Sequence, residues 1–167
     1  MNPTSSGHTA IEQCLKEEVV TMSSLAELLK KEQSALVDSD VNLLNDYTQS
    51  KGQLVGKMSE LEKKRNAFLT QLGYRADLDG MNAYLQQADS VDNAPNATLY
   101  WDQLLQLSMQ AKEDNKTNGL LINRRLAQSQ AMLSVLQQGN QAASSPMYGP
   151  NGQSTIKGTS GKGYIAT

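Results

Sequence analysis

Nucleophiles and soft metal ligands are almost missing from this chain, which has one cysteine, Cys14, and one histidine, His8, among 167 residues. A lone Cys closes no intramolecular disulfide, and one Cys with one His assembles no zinc cluster. The set of nucleophile, base and orienting group that a hydrolase needs has no second imidazole to draw on. His8 falls in residues 1–8, expected to be a disordered N-terminus, and Cys14 on the flank of a helical seam, so both are read as inert. No cofactor and no metal site are expected, and the protein is read as a non-enzyme.

Aromatic residues are few, with one Trp, one Phe and six Tyr, against 22 Leu, 16 Gln and 16 Ser. That balance favours helices over sheets and excludes an all-β fold. Charge of one sign is lacking too: the formal net charge is −2, leaving no overall basic field to neutralise a phosphate backbone, which argues against nucleic acid as a partner. No run of 18 apolar residues occurs, so no membrane insertion is expected, and the first ten residues have neither the basic nor the apolar region of a secretory signal. A reducing, cytoplasmic location fits the single Cys.

Heptad order is what the chain does have. Ile11, Leu15, Met22, Leu25, Leu29 and Leu36 recur at alternating threes and fours once Glu18 and Glu32 fill the gaps, predicting a long helix over about 9–37. Thr9 followed by Glu12 has the form of a capping box at its start. Asp38, Ser39 and Asp40 break the pattern, and Leu44, Tyr47, Leu54, Met58, Leu61, Phe68 and Leu72 carry a second helix over about 40–72, ended by Gly73. Gly52 and Gly56 lie four apart inside it, marking a close helix approach, a flexible point or tolerated surface glycine.

Charges inside the two seams allow an inference about pairing. In an antiparallel hairpin the seam positions Ile11 with Leu72, Leu15 with Phe68, Met22 with Leu61, Leu25 with Met58, Leu29 with Leu54 and Leu36 with Tyr47 share one index sum, 83. Glu18 with Arg65 and Glu32 with Lys51 share it as well, so each acidic seam residue meets a basic one. Charges at such positions cost stability but fix register, and the two pairs are read as pins of the hairpin. The alternative is that all four side chains snorkel to water.

A short helix is predicted over about 79–87, and a third long one over about 95–138, with Pro95 in its first turn. Residues 112–119 are entirely polar and are read as a solvated turn of one continuous helix, with a break at Gly119 as the alternative. From residue 140 Gly, Pro, Ser, Asn and Thr dominate, the composition of a flexible tail that cannot bury enough surface to offset its ordering entropy. The fold class expected is all-α: long antiparallel helices in an up-and-down hairpin or bundle spanning 9–139, with a disordered Gly-rich tail over 140–167.

Other motifs yield little. Gly161-Lys162-Gly163 has no preceding strand and no following helix, so it is no phosphate loop. Lys63, Lys64 and Arg65 follow Glu60 and Glu62, the pattern of a solvated helical face. Asn96-Ala97-Thr98 matches a glycosylation acceptor, which is irrelevant without a signal peptide.

Three stretches together resemble the FlgN family of flagellar export chaperones. The first is Leu28 to Leu36 (LLKKEQSAL), with Lys51 to Leu54 (KGQL) and Leu61 to Arg65 (LEKKR). The second is Asn118-Gly119-Leu120-Leu121, leading through Gln130 to Leu136 (QAMLSVL). The third, the most specific, is Tyr148-Gly149-Pro150-Asn151-Gly152, similar to that family's Tyr-Gly-x-x-Gly segment, with Asn151 where Asp is common. The resemblance implies a cytoplasmic, ATP-independent chaperone of type III flagellar secretion that binds the hook-filament junction proteins FlgK and FlgL and delivers them to the export gate component FlhA. Substrate binding would map onto Leu120, Leu121, Ile122, Leu126, Met132, Leu133 and Leu136, and gate binding onto Tyr148, Gly149 and Gly152.

Elementary physics supplies a mechanism for that role. A segment that coils only in the assembled filament exposes an apolar stripe beforehand, and a leucine-rich helix can complete its packing. Two other classes fit a helical scaffold with a linear tail: a self-assembling structural subunit, and an adaptor that regulates an unrelated partner. The sequence leaves oligomeric state open, a homo-oligomer included.

Overall fold

In the computed structural model, which describes residues 3–88 and 94–143, the regular elements are four helices and the fold is all-α. They are α1 (Pro3–Asp38), α2 (Val41–Gln71), α3 (Leu78–Ala88) and α4 (Ala97–Ala143). The chain divides into two compact units after Arg124. The first holds α1, α2, α3 and α4 as far as Arg124; the described part of the second is α4 from Arg125 onward.

Local chemistry sets the helix ends. Asp40 lies in extended backbone before α2, and its side chain accepts a hydrogen bond from Leu43 N at 3.1 Å, the role of an N-cap. At the other end Gly73 adopts φ +88°, while Gly73 N donates to Thr70 O and Tyr74 N to Leu69 O. These two bonds close the left-handed C-terminal motif that glycine makes cheaply. Ser39 performs the same turn at the end of α1 with φ 64°, so that Asp40 N reaches Ala35 O at 3.1 Å.

The first unit is built around α1. Its buried residues, including Ile11, Leu15, Leu29 and Leu36, cover more than one stripe, as a helix flanked by partners on two sides requires. The main cluster joins Ile11 and Leu15 to Leu69 of α2, Met81, Tyr84 and Leu85 of α3, and Ala97, Trp101 and Leu104 of α4. Ile11, Leu15 and Leu69 are wholly buried, each side chain contributing on the order of 1.5–3 kcal/mol by transfer from water.

Several expectations need correction. The helix does not begin at Thr9, and residues 3–8 are not a disordered lead: α1 starts at Pro3, whose missing amide proton is harmless in a first turn. Tertiary contacts extend it, since an added Cβ at Gly7 would lie 3.0 Å from Leu72 and the His8 ring stacks on Tyr84. Pro95 precedes α4 rather than opening it, and α4 continues past Gly139 to Ala143. The polar stretch 112–119 is helical throughout, as read, but it is not simply solvated, because Asn118 is only 1% exposed. Of the readings for Gly52 and Gly56, tolerated surface glycine is the one that fits, since neither meets anything within 4 Å among the described residues. The tail from residue 144, with Tyr148, Gly149 and Gly152, lies outside the described residues.

Candidate functional site

Two buried polar layers cross the first unit. In one, Arg65 of α2 donates from Nε to Glu18 of α1, at 2.9 Å to Oε2 and 3.3 Å to Oε1. The guanidinium also lies over the Trp101 ring of α4, 5.1 Å from its centroid, within reach of a cation–π attraction. In the other, Lys51 Nζ of α2 donates to Glu32 Oε1 of α1 at 2.7 Å. Asn118 of α4 donates from Nδ2 to Glu32 Oε2 at 2.8 Å and to the main-chain carbonyl of Leu29 at 2.9 Å.

Burial decides the character of these contacts. The side chains of Arg65 and Glu18 are 8% and 1% exposed, whereas Lys51 keeps 26% beside a Glu32 at 4%. Loss of hydration raises the Glu18 carboxyl above its ordinary value, and the Arg65 charge and hydrogen bond only partly pull it back. The snorkelling alternative therefore fails for Glu18, Arg65 and Glu32.

A second cluster joins the start of α1 to α3. His8 Nδ1 and the Tyr84 hydroxyl are 3.3 Å apart, with the rings stacked at 5.5 Å between centroids. Tyr74 packs edge-on against Tyr84, and its hydroxyl donates to Gln87 Oε1. Burial first, then the nearby Glu12 charge and Tyr74, push the Tyr84 phenol up to about 12. Glu12 itself accepts from Asn96 N at 3.4 Å and Nδ2 at 3.1 Å, holding the residue that leads into α4. Cys14 is buried, and its thiol is raised chiefly by desolvation, the opposite of what a reactive cysteine requires.

The apolar residues expected to bind substrate lie near and beyond the last buried residue of α4. In the first unit Leu120 is 63% and Ile122 39% exposed, while Leu121 is half-buried. In the second, Leu126 is 56%, Met132 72%, Leu133 57% and Leu136 67% exposed, and Val135 adds to them. Leu126, Leu133 and Leu136 fall on one helical face at heptad spacing. Large aliphatic side chains at that spacing, uncovered, have the form of half a coiled-coil seam.

Reading the sequence missed three participants: Asn118, Trp101 and the His8–Tyr84 stack. A signal for two of them was present, since the buried positions Ala97, Trp101, Leu104, Ala111 and Asn118 continue the threes and fours of a seam through the polar stretch. Among the described residues no group of three His, Cys, Asp or Glu side chains could hold a metal ion, and no helix is long and apolar enough to cross a membrane.

Comparison with known proteins agrees with this architecture. The family model described as FlgN protein matches residues 1–156. The Flagella synthesis protein FlgN of Proteus mirabilis is 25% identical over 145 residues, covering 86% of this chain and 88% of that protein. The crystal structure of a protein described as a flagella synthesis protein, FlgN, from Pseudomonas aeruginosa aligns with a TM-score of 0.57 at 22% identity, covering 74% of this chain and 93% of the other. With a family model spanning nearly its whole length and a solved structure sharing its fold, the chain belongs to the FlgN family.

Proposed function

We propose that this chain is a cytoplasmic chaperone for flagellar assembly, which holds the hook-filament junction proteins FlgK and FlgL before export and hands them to the gate component FlhA. Membership of the FlgN family and the name of the Proteus relative support a role in flagellar synthesis. The observation that carries the finer reading is the uncovered apolar face of α4, with Leu126, Leu133 and Leu136 each more than half exposed. A junction-protein helix whose own apolar stripe is unsatisfied before assembly would pack along it, burying both without covalent chemistry. Tyr148, in the motif Tyr148-Gly149-Pro150-Asn151-Gly152, would anchor the gate as a single aromatic on a linear segment. No catalytic step enters this mechanism.

Co-expression tests it directly. The full-length chain, a Tyr148→Ala variant, a truncation after Gln138 and a Leu126→Asp/Leu133→Asp variant are each produced with FlgK, with FlgL and with an unrelated secreted helical protein. Stoichiometric capture of the junction proteins alone by the first three, and its loss in the fourth, is the expected outcome. Capture that survives the double aspartate change would move the docking surface elsewhere. No capture by the folded full-length chain would favour an adaptor acting on another partner.

A further inference from the structure

The two polar layers share a design that no single ion pair has. Each takes a carboxylate from α1, a cation from α2 and a group from α4: Glu18, Arg65 and Trp101 in one, Glu32, Lys51 and Asn118 in the other. On α1 and on α2 the members are two heptads apart. We propose that these layers form a register lock that fixes how α1, α2 and α4 slide past one another, and so fixes which residue of α4 is the last to be buried.

Displacing α2 by one heptad shows what the lock rejects. Moved one way, Glu18 would face Met58, Glu32 Leu44, Arg65 Ile11 and Lys51 Leu25. Moved the other way, Glu18 would face Leu72, Glu32 Met58 and Arg65 Leu25. In either case both acids sit against apolar side chains with no counter-charge, the costliest outcome for a buried carboxylate. Apolar seam positions give no comparable discrimination, because Leu, Met and Ile exchange for one another at little cost.

For α4 the pin is Asn118. Its amide nitrogen bridges Glu32 and a helix carbonyl, and it is 1% exposed, a buried polar residue at a seam position. Such a residue specifies register better than it stabilises. One heptad back, Ala111 would take its place with no donor to offer; one heptad forward, Arg125 would reach Glu32, but Ser108 would replace Trp101 over Arg65. Its neighbour in the groove is small, since Ala111 is the next buried side chain of α4, so apolar packing alone holds this part of α4 weakly. The lock acts the same whatever partner the chain binds.

Distances between spin labels on the full chain read the register. In a Cys14→Ala background, labels at exposed positions 16 and 53 report α1 against α2, and labels at 16 and 116 report α1 against α4. Each pair is staggered along the helices, so a heptad slip changes the separation by about 10 Å. The native side chains should give one separation per pair. Replacing Glu18, Arg65, Glu32, Lys51 and Asn118 together by Leu should give two or more, about 10 Å apart, without lowering the melting temperature; one unchanged separation would overturn the lock. Should that chain not fold, a second decides: Arg65→Leu, Lys51→Leu, Met58→Arg and Leu44→Lys move both cations one heptad along α2. The α1–α2 separation is then expected to shift by about 10 Å, and retention of the native value or failure to fold would overturn the proposal.

Discussion

Individual residues in this fold differ sharply in what they tolerate, and the glycines show it. At Gly80 an added Cβ would fall 2.0 Å from the carbonyl oxygen of Arg75, a backbone atom, while Gly80 N donates to Asp77 Oδ1 at 2.8 Å to cap α3. Gly80→Ala must displace that turn, and urea unfolding should show a loss of about 1–3 kcal/mol. Gly52 and Gly56 are helical with open space where a Cβ would go. Alanine at either should add about 1 kcal/mol, through backbone entropy alone. Tyr84 gives a pH signature. Its phenol, pushed up to about 12, keeps its proton where the unfolded chain loses one. Stability should therefore fall by about 1.4 kcal/mol per pH unit from about pH 10 upward, the loss ending near the folded value. In Tyr84→Phe this part of the slope should vanish, as denaturant titrations at stepped alkaline pH would reveal.

Between elements, the Glu18–Arg65 pair separates specificity from strength. Arg65→Leu leaves a carboxylate 1% exposed without its cation and should cost about 3–5 kcal/mol at neutral pH. The deficit should shrink on acidification, because protonating Glu18 removes the stranded charge. The double change Glu18→Met/Arg65→Leu should be neutral or stabilising, and thermal unfolding of both variants distinguishes the two effects. This pair and its counterpart were legible from numbering alone, since antiparallel helices with strict heptads make contacts of constant index sum. The contacts of α4 were not, because α3 and a long connection intervene and no comparable sum links α1 to α4. The start of α1 at Pro3 was not legible for a related reason. Residues 3–8 have little helical signal of their own, and their helix depends on packing against Leu72 and Tyr84, a tertiary effect that local pattern does not carry.

At the scale of the molecule, buried and uncovered apolar side chains are divided along α4. Ala97, Trp101, Leu104, Ala111 and Asn118 are buried in the first unit, while Leu126, Met132, Leu133 and Leu136 are exposed in the second. Leu126→Asp/Leu133→Asp should thus leave the melting transition of the free protein within about 0.5 kcal/mol of its native stability while abolishing capture of junction proteins. A structural role for those side chains would lower both. The heptad spacing of these leucines was legible in the sequence, but whether they were core or surface was not, since a heptad looks the same on either side of a bundle. The clasp of Glu12 on Asn96 carries a consequence for time rather than stability. Its two partners are 84 positions apart, and the residue that leads into α4 gives both its main-chain and its side-chain amide to a carboxylate from α1. On the ribosome the α1–α2 hairpin, closed by a two-residue turn, leaves the exit tunnel first and has its local contacts complete. The helix that carries the uncovered apolar face is thereby the last to be seated, onto a template already waiting for it.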